Sequence, residues 1–269
     1  MTHTLKGTVR YLGTHFSGWQ AQDTERTVQG DIEAAMARIA SEPVRIQGAG
    51  RTDAGVHAFG QVFSCVWPKA VPPNLAHALS RILEPEIQIV RLEEVPEDFN
   101  ARFSAQAKRY CYNFHFSREM DPFSAPYSWQ VPYKVDMDLI ASLLPQLEGT
   151  HDFAGFQSTG CQMKTTVRTL YGVSLKQGLV VGPHDTTNRY HVEFFGDGFL
   201  YKMVRNLAGT LVEIGRGRFD PDFIETSLAS GGPFVGHCAP AHGLVMKEVL
   251  YEEDCDAAGI KKKRQWPKP

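Results

Sequence analysis

The segment from Gly48 to His57 carries the strongest chemical signal in the sequence. Its ten residues read Gly-Ala-Gly-Arg-Thr-Asp-Ala-Gly-Val-His, so that three glycines accompany one arginine and one carboxylate. Glycine permits positive φ and close approach of a ligand to the backbone, so the loop can present Arg51 and Asp53 in a cleft. A carboxylate placed there can add to an electrophilic carbon, stabilise positive charge or accept a proton. A tight turn in which Asp53 caps backbone N–H groups is an equally good interpretation.

Other chemistries fit this segment less well. The spacings G-x-x-x-x-G-K-[ST] and G-x-G-x-x-G are missing from it, which disfavours a nucleotide-phosphate cradle. Asp53 and His57 are four residues apart and could ligate a metal from a helix, but the surrounding glycines argue against a helix. The five cysteines are odd in number, widely spaced and never in a C-x-x-C arrangement. We therefore predict no metal and no cofactor, and expect reduced thiols that pack in the core.

The elements around this loop predict an α+β first half. A helix is expected to follow Thr27, a suitable N-cap, because apolar residues recur every three or four positions after it, at Val28, Ile32, Met36 and Ile39. The other predicted elements of this half are strands over residues 8–12, 44–47, 57–66 and 88–95 and a helix over residues 74–83. The glycine-rich loop is thus expected between two strands.

The second half repeats a similar order of elements. Its clearest helix is predicted over residues 199–214, where one apolar stripe runs through Leu200, Met203, Val204, Leu207, Leu211 and Ile214. Further helices are predicted over 137–147 and 221–229, and strands over 108–116, 166–176, 189–195 and 243–251.

These patterns predict an α+β fold of two pseudo-symmetric halves. Each half is expected to have a mostly antiparallel sheet with helices packed on it, and the active-site cleft is expected between the halves. The predicted domains are residues 1–105, which carry the Asp53 loop, residues 106–252, which complete the cleft, and a flexible basic tail over residues 253–269.

Composition sets limits on function. The chain has 269 residues, 42% of them hydrophobic, and no apolar run near the about 18 to 20 residues of a membrane span. Its first residues do not lead into the apolar core of a signal peptide, so a cytoplasmic location is the default expectation.

The net charge of -2 is not typical of a nucleic-acid-binding protein, for which a basic domain is expected. However, residues 100–117 and 153–184 lack acids and combine basic with aromatic residues, which suits either phosphates and stacked bases or ordinary solvated surface.

Several short motifs resemble, in order and over nearly the whole chain, the TruA family of tRNA pseudouridine synthases. Beside Gly50-Arg51-Thr52-Asp53-Ala54-Gly55-Val56-His57-Ala58, they are Gly18-Trp19-Gln20, Thr27-Val28-Gln29, Asn100-Ala101-Arg102-Phe103, Lys108-Arg109-Tyr110, Val167-Arg168-Thr169-Leu170, Gly198-Phe199-Leu200, Met203-Val204-Arg205-Asn206, Ala239-Pro240-Ala241 and Gly243-Leu244. The chain departs from the family at Leu12, where Tyr-Asp-Gly is usual, and this puts substrate contacts around the first loop in question.

The resemblance implies roles for individual residues. Asp53 matches the family's catalytic aspartate, and Arg205 would pair with it and keep it ionised. Arg51 would enter the space left by a flipped base or hold a phosphate, and Tyr110 would stack on the flipped uracil. The candidates for RNA backbone contacts are Arg102, Lys108, Arg109, Lys164, Arg168 and Lys202.

The same resemblance implies the activity and its setting. The expected reaction is isomerisation of uridine to pseudouridine in tRNA, at positions 38 to 40 of the anticodon stem-loop, by a homodimer without cofactor or metal. Three alternatives stay open: a non-catalytic RNA-binding protein, a metal-dependent hydrolase that uses Asp53 and His57, and a pseudouridine synthase that acts on another RNA.

Overall fold

The computed structural model describes residues 2–160, 165–234 and 236–261. Contacts divide the chain into two compact units. The first unit comprises the residues up to Gln106 and those from Met246 onward, and the second is Ala107–Val245. The first unit is therefore built from two separate stretches of chain, whereas the second is continuous.

The first unit combines a sheet with two main helices. In hydrogen-bonded order its strands run β4-β1-β3-β10, and β2 pairs with β3. The β1–β3, β1–β4 and β2–β3 pairs are all antiparallel. The strands are β1 His3–Tyr11, β2 Ile46–Gly48, β3 His57–Trp67, β4 Ile87–Glu94 and β10 Leu244–Leu250, and the helices are α1 Val28–Ala40, α2 Leu75–Leu83 and the short α6 Cys255–Ala258.

The helix α1 shows why the local sequence folds as predicted. The side chain of Thr27 accepts a hydrogen bond from the backbone N–H of Gly30, which satisfies one of the donors left open at the helix start. The helix ends where Ser41 adopts a left-handed conformation. Val28, Ile32 and Met36 are fully buried, as their spacing predicts. The predicted helix and its N-cap are both confirmed.

The second unit has its own strands and helices. Its strands run β5-β9-β8-β7 in hydrogen-bonded order, and β6 lies parallel to β5. The β5–β9, β9–β8 and β8–β7 pairs are antiparallel. The strands are β5 Ala107–Phe116, β6 Trp129–Val131, β7 Gly149–Asp152, β8 Val167–Gln177 and β9 Arg189–Gly196, and the helices are α3 Met137–Leu143, α4 Met203–Gly215 and α5 Phe223–Ser230. The predicted α+β class with mostly antiparallel pairing is confirmed.

Two predicted helices differ from the observed ones by about one turn at one end. The helix expected from residue 199 begins only at Met203, because Lys202 takes a left-handed conformation with φ of 58°. The helix expected over 137–147 is α-helical only to Leu143 and continues as a 3₁₀ turn, Leu144–Leu147. This turn contains Pro145, whose missing N–H removes an α-helical hydrogen bond. Within the described residues, no helix is long and apolar enough to cross a membrane.

Candidate active site

The loop of residues 49–56 is fastened at both of its ends. It leaves β2 after Gly48 and enters β3 at His57. At its start the N–H of Ala49 donates to the carbonyl of Val62 at 2.7 Å. At its end the N–H of Val56 donates to the carbonyl of Asp53 at 3.2 Å. This closes a tight turn in which Gly55 has a φ of 80°, a conformation that other residues adopt only with strain.

A second segment, residues 13–19, packs against the backbone of this loop. The N–H of Trp19 donates to the carbonyl of Thr52 at 3.0 Å. Gly18 has a φ of 95°, and a Cβ there would lie 2.7 Å from that same carbonyl oxygen. A Cβ on Gly13 would collide with the backbone of Val56. Glycines at both positions therefore allow a backbone-to-backbone approach that no larger residue permits.

Buried polar side chains hold the loop from below. The hydroxyls of Tyr11 and Thr52 lie 2.8 Å apart, and the amide nitrogen of Gln61 donates to the carbonyl of Gly50 at 3.0 Å. Burial raises the pKa of the Tyr11 phenol well above its usual range, against smaller opposing contributions from Thr52 and Gln61. The Nδ1 of His57 accepts a hydrogen bond from the N–H of Gly13 at 3.0 Å. These uncharged groups lie under the loop and support its backbone.

The three residues at the centre of the loop differ in exposure. Arg51 is exposed and Asp53 is half-buried, whereas Thr52 between them is 7% exposed. The side chain of Thr52 is therefore directed toward the base of the loop, and the two charged residues flank it. Both charged residues are carried by a backbone whose position is fixed.

The Arg102 turn of the first unit is also ordered by hydrogen bonds. The side-chain oxygen of Asn100 accepts from the N–H groups of Arg102 and Phe103 at 3.0 and 3.1 Å. The hydroxyl of Tyr251 donates to the carbonyl of Ala101 at 2.9 Å. Arg102 and Phe103 are both exposed, and the guanidinium of Arg102 lies 5.5 Å from the ring centre of Phe103. The turn thus offers a cation and an aromatic ring to solvent.

In the second unit, Tyr110 and Arg205 lie on different elements. Tyr110 lies on β5, is 8% exposed and meets the ring of Phe199 edge-on at 5.0 Å between centroids. Arg205 is the third residue of α4, and its Nε donates to the carbonyl of Ala239 at 2.8 Å. The backbone carbonyl of Arg205 accepts from the N–H of Ala239 at 3.2 Å. Arg205 therefore ties the helix start to the Ala239-Pro240-Ala241 segment.

The remaining basic candidates have varied environments. Arg109 forms an ion pair of 2.8 Å with Glu193, and its guanidinium lies 4.1 Å from the ring centre of Phe195. Arg168 is buried and donates to the carbonyl of Thr165 at 3.0 Å.

Lys108 is half-buried, and the ammonium of Lys202, at the start of α4, lies 5.0 Å from the ring of Tyr201. Lys164 lies outside the described residues. Two of these candidates thus already make contacts within the second unit, Arg109 with Glu193 and Arg168 with the carbonyl of Thr165.

Sequence reasoning did not single out several residues of this arrangement. Tyr11, Gln61 and Phe199 entered it only as parts of predicted elements or motifs. A weak signal existed for Gln61, because it is a polar residue among mainly apolar residues of β3, and the structure shows that it is 0% exposed. A buried amide must be hydrogen-bonded, so such a residue points to a partner elsewhere in the chain.

One group of residues in the second unit has metal-ligand types. The ligand atoms of Cys111, His191 and Glu193 all lie within 4.8 Å of one another. The carboxylate of Glu193 is already engaged by Arg109 at 2.8 Å and by Lys176 at 3.5 Å. Two nearby cations oppose the entry of a divalent cation, so the charge balance favours a structural ion-pair cluster here.

Comparison with known proteins shows which family the chain resembles over most of its length. The model of a family described as tRNA pseudouridine synthase matches residues 8–104 and 144–252. The tRNA pseudouridine synthase A of Lacticaseibacillus casei (strain BL23) is 41% identical over 254 residues, which cover 93% of this chain and 100% of that protein. The proteins of the same name from Streptococcus mutans serotype c and Bacillus pumilus are 38% and 39% identical, each cover 92% of this chain, and are themselves covered to 98% and 99%.

A solved structure, a Cbf5-Nop10-Gar1 complex, has a weak likeness: the TM-score is 0.39 at 12% identity, with 94% of this chain and 57% of that chain covered.

The family match and the full-length relatives decide the class. The chain belongs to the tRNA pseudouridine synthase family, and with it to the isomerases. The resemblance drawn from the sequence motifs is confirmed.

Proposed function

We propose that the chain converts uridine to pseudouridine in the anticodon stem-loop of tRNA, at positions 38 to 40, with Asp53 as its catalytic carboxylate. The observation that carries this proposal is the loop itself. A half-buried carboxylate and an exposed arginine flank a threonine whose side chain and carbonyl are both held by hydrogen bonds. A reactive group needs such a fixed support, because small displacements cost large factors in rate.

The reaction suits a single carboxylate. The N1–C1′ bond breaks, the uracil turns, and a C5–C1′ bond forms; the proton leaves C5 and N1 ends protonated, so the atoms balance without a redox partner. A carboxylate can add to an electrophilic carbon, stabilise positive charge at the sugar or accept the proton. Asp53 supplies this group in the proposal.

The proposed substrate contacts follow from the same family assignment. A uridine in a stem must leave the stack, which costs a few kcal/mol. It requires one group that fills the vacated space, the filler, and another group that receives the flipped base. Arg51, exposed beside Asp53, suits the role of filler or phosphate contact. Tyr110 offers a flat ring for stacking, and Arg205 completes the proposed substrate-binding set. Among the proposed RNA backbone contacts that the structure describes, Arg102 is exposed together with the ring of Phe103 and suits a phosphate contact.

The proposal includes a homodimer in the cytoplasm, where tRNA is processed. A net charge of -2 leaves one chain with little overall attraction for RNA. A second copy would extend the basic surface that contacts phosphates. The mass of the protein in solution, measured by light scattering, tests this part: twice 30.0 kDa is expected.

The experiment maps pseudouridine in unmodified tRNA transcripts after incubation with wild-type protein or Asp53→Asn. Wild type is expected to modify positions 38 to 40, and Asp53→Asn to give no product while it folds normally. Asp23→Asn is the matched control, since Asp23 is an exposed carboxylate of the same unit.

A transcript with cytidines at positions 38 to 40 tests whether these positions of the tRNA are the ones that are modified. Product elsewhere in that transcript would contradict the proposed substrate position. Full activity of Asp53→Asn would contradict the proposed catalytic residue.

A further inference from the structure

The hydrogen bond between Tyr11 and Thr52 joins the end of a strand to the centre of the Asp53 loop. Tyr11 is the last residue of β1, is 4% exposed and packs against Trp19 at 6.0 Å between ring centroids. Its hydroxyl lies 2.8 Å from the hydroxyl of Thr52. Thr52 is the residue immediately before Asp53, so the contact reaches the loop next to the carboxylate.

Gln61 gives the loop a second fixed point. Its amide nitrogen donates to the carbonyl of Gly50, and its amide oxygen accepts from the N–H of Val62 at 3.1 Å. The loop is therefore held from below at Gly50 and at Thr52, the two neighbours of Arg51.

The loop needs these fixed points because its own sequence is permissive. Glycines at positions 48, 50 and 55 leave the backbone between β2 and β3 with many accessible conformations. Thr52 is buried between two more exposed neighbours, an alternation typical of a segment whose successive side chains point to opposite sides. The exposure of Arg51 and the half-exposure of Asp53 agree with this.

We propose that Tyr11 is a positioning residue for catalysis: its hydroxyl holds Thr52 so that the carboxylate of Asp53 meets the substrate in a reactive orientation. The inference rests on the proposed function of Asp53. Tyr11 itself contacts no reacting atom in this account. Its removal should therefore slow the chemical step and leave tRNA affinity nearly unchanged.

The experiment measures single-turnover rate and KM for tRNA with Tyr11→Phe, Thr52→Val and the double variant. Tyr11→Phe keeps the buried ring and removes only the hydroxyl. A rate about tenfold to a hundredfold lower is expected, with KM within about twofold. The double variant is expected to be no slower than the slower single variant, because both changes break one contact. Thr52→Ser, which keeps the hydroxyl, is expected to retain most of the rate.

A control separates positioning from general destabilisation. Ser80→Ala removes a hydroxyl of the same unit that donates to Ala76 at 2.9 Å and accepts from the N–H of Ile89 at 3.0 Å. It is expected to lower the thermal midpoint without slowing the reaction. An equal loss of rate in Ser80→Ala, or single-variant losses that multiply in the double variant, would overturn the inference.

Asp53→Asn in the same assay keeps the two proposals distinguishable. If Asp53→Asn reacts at the wild-type rate, the proposed function fails whatever Tyr11→Phe does. If Asp53→Asn is inactive and Tyr11→Phe reacts at the wild-type rate, only the positioning role of Tyr11 fails.

Discussion

The Asp53 loop of the first unit and the sheet of the second unit are stabilised by different interactions. The loop rests on uncharged groups: the hydroxyls of Tyr11 and Thr52, the amide of Gln61 and backbone hydrogen bonds. The sheet of the second unit instead carries ion pairs. Glu193 meets two cations, and Arg189 meets Asp185 and, at 2.7 Å, Asp121.

The difference separates two ways of holding polar groups in place, hydrogen bonds between uncharged groups and ion pairs. Hydrogen bonds between uncharged groups fix the backbone beside Asp53 and add no net charge of their own. Ion pairs hold strands together but depend on pH and, where exposed, on salt. The comparison predicts that, of these two regions, the sheet of the second unit is the more sensitive to changes of charge and the Asp53 loop is the more sensitive to changes of shape.

Removal of the Glu193 carboxylate is expected to have the largest effect on stability. Glu193 is 6% exposed, and Glu193→Ala leaves Arg109 and Lys176 without this counter-charge. Breaking a buried pair from one side is costly, so we expect a loss of about 3 kcal/mol in the free energy of unfolding. Denaturant unfolding measures it. Lys176→Ala, at the half-exposed side of the cluster, is expected to cost under about 1 kcal/mol; equal losses in the two variants would contradict this assignment.

A change of shape at Gly13 is expected to disturb the loop of the first unit. A Cβ there collides with the backbone of Val56, which cannot rotate away as a side chain would. Gly13→Ala should cost about 2 kcal/mol in unfolding free energy and lower activity. Gly172→Ala is the control, because a Cβ at that position meets nothing within 4 Å. The prediction fails if both alanines are tolerated equally.

The smallest effect is expected from pH at His115. Burial, and then the neighbouring charge of Arg189, lower the pKa of this imidazole, against the opposing influence of Asp121 and Asp185. Below the ordinary histidine pKa of about 6.5 the unfolded chain takes up the proton first, so the free energy of unfolding should fall as the pH drops further. Unfolding curves between pH 5 and 8 for wild type and His115→Gln test this, with a flatter dependence expected in the variant. Identical slopes would count against it.

The sequence predicted local structure well where one periodic pattern dominated. The helix after Thr27 and the strand from His57 follow from spacing and capping alone. The start of α4 was predicted four residues too early, because Leu200 continues the apolar stripe while Lys202 turns the backbone left-handed. The strands β6 and β7 were not predicted, since three and four residues are too short to show an alternation.

The same limit applies to the candidate site: a local pattern in the sequence identifies some of its residues but not others. Arg51 and Asp53 are neighbours in sequence, so one motif identifies both. The contact of Tyr11 with Thr52 spans 41 positions, and that of His57 with Gly13 spans 44. No local pattern reports such pairs, because they depend on which strands lie side by side. The roles assigned to Tyr110 and Arg205 stay predictions.

The return of the chain to its first unit has a consequence for protein synthesis. The second unit is one uninterrupted stretch, Ala107–Val245. The first unit also needs the residues from Met246 onward, which include most of β10, the strand beside β3. A ribosome releases residues in order, and units fold as their residues emerge. The second unit is therefore complete before the first, and β3, the strand that follows the Asp53 loop, gains β10 as a neighbour only after the whole second unit has been translated.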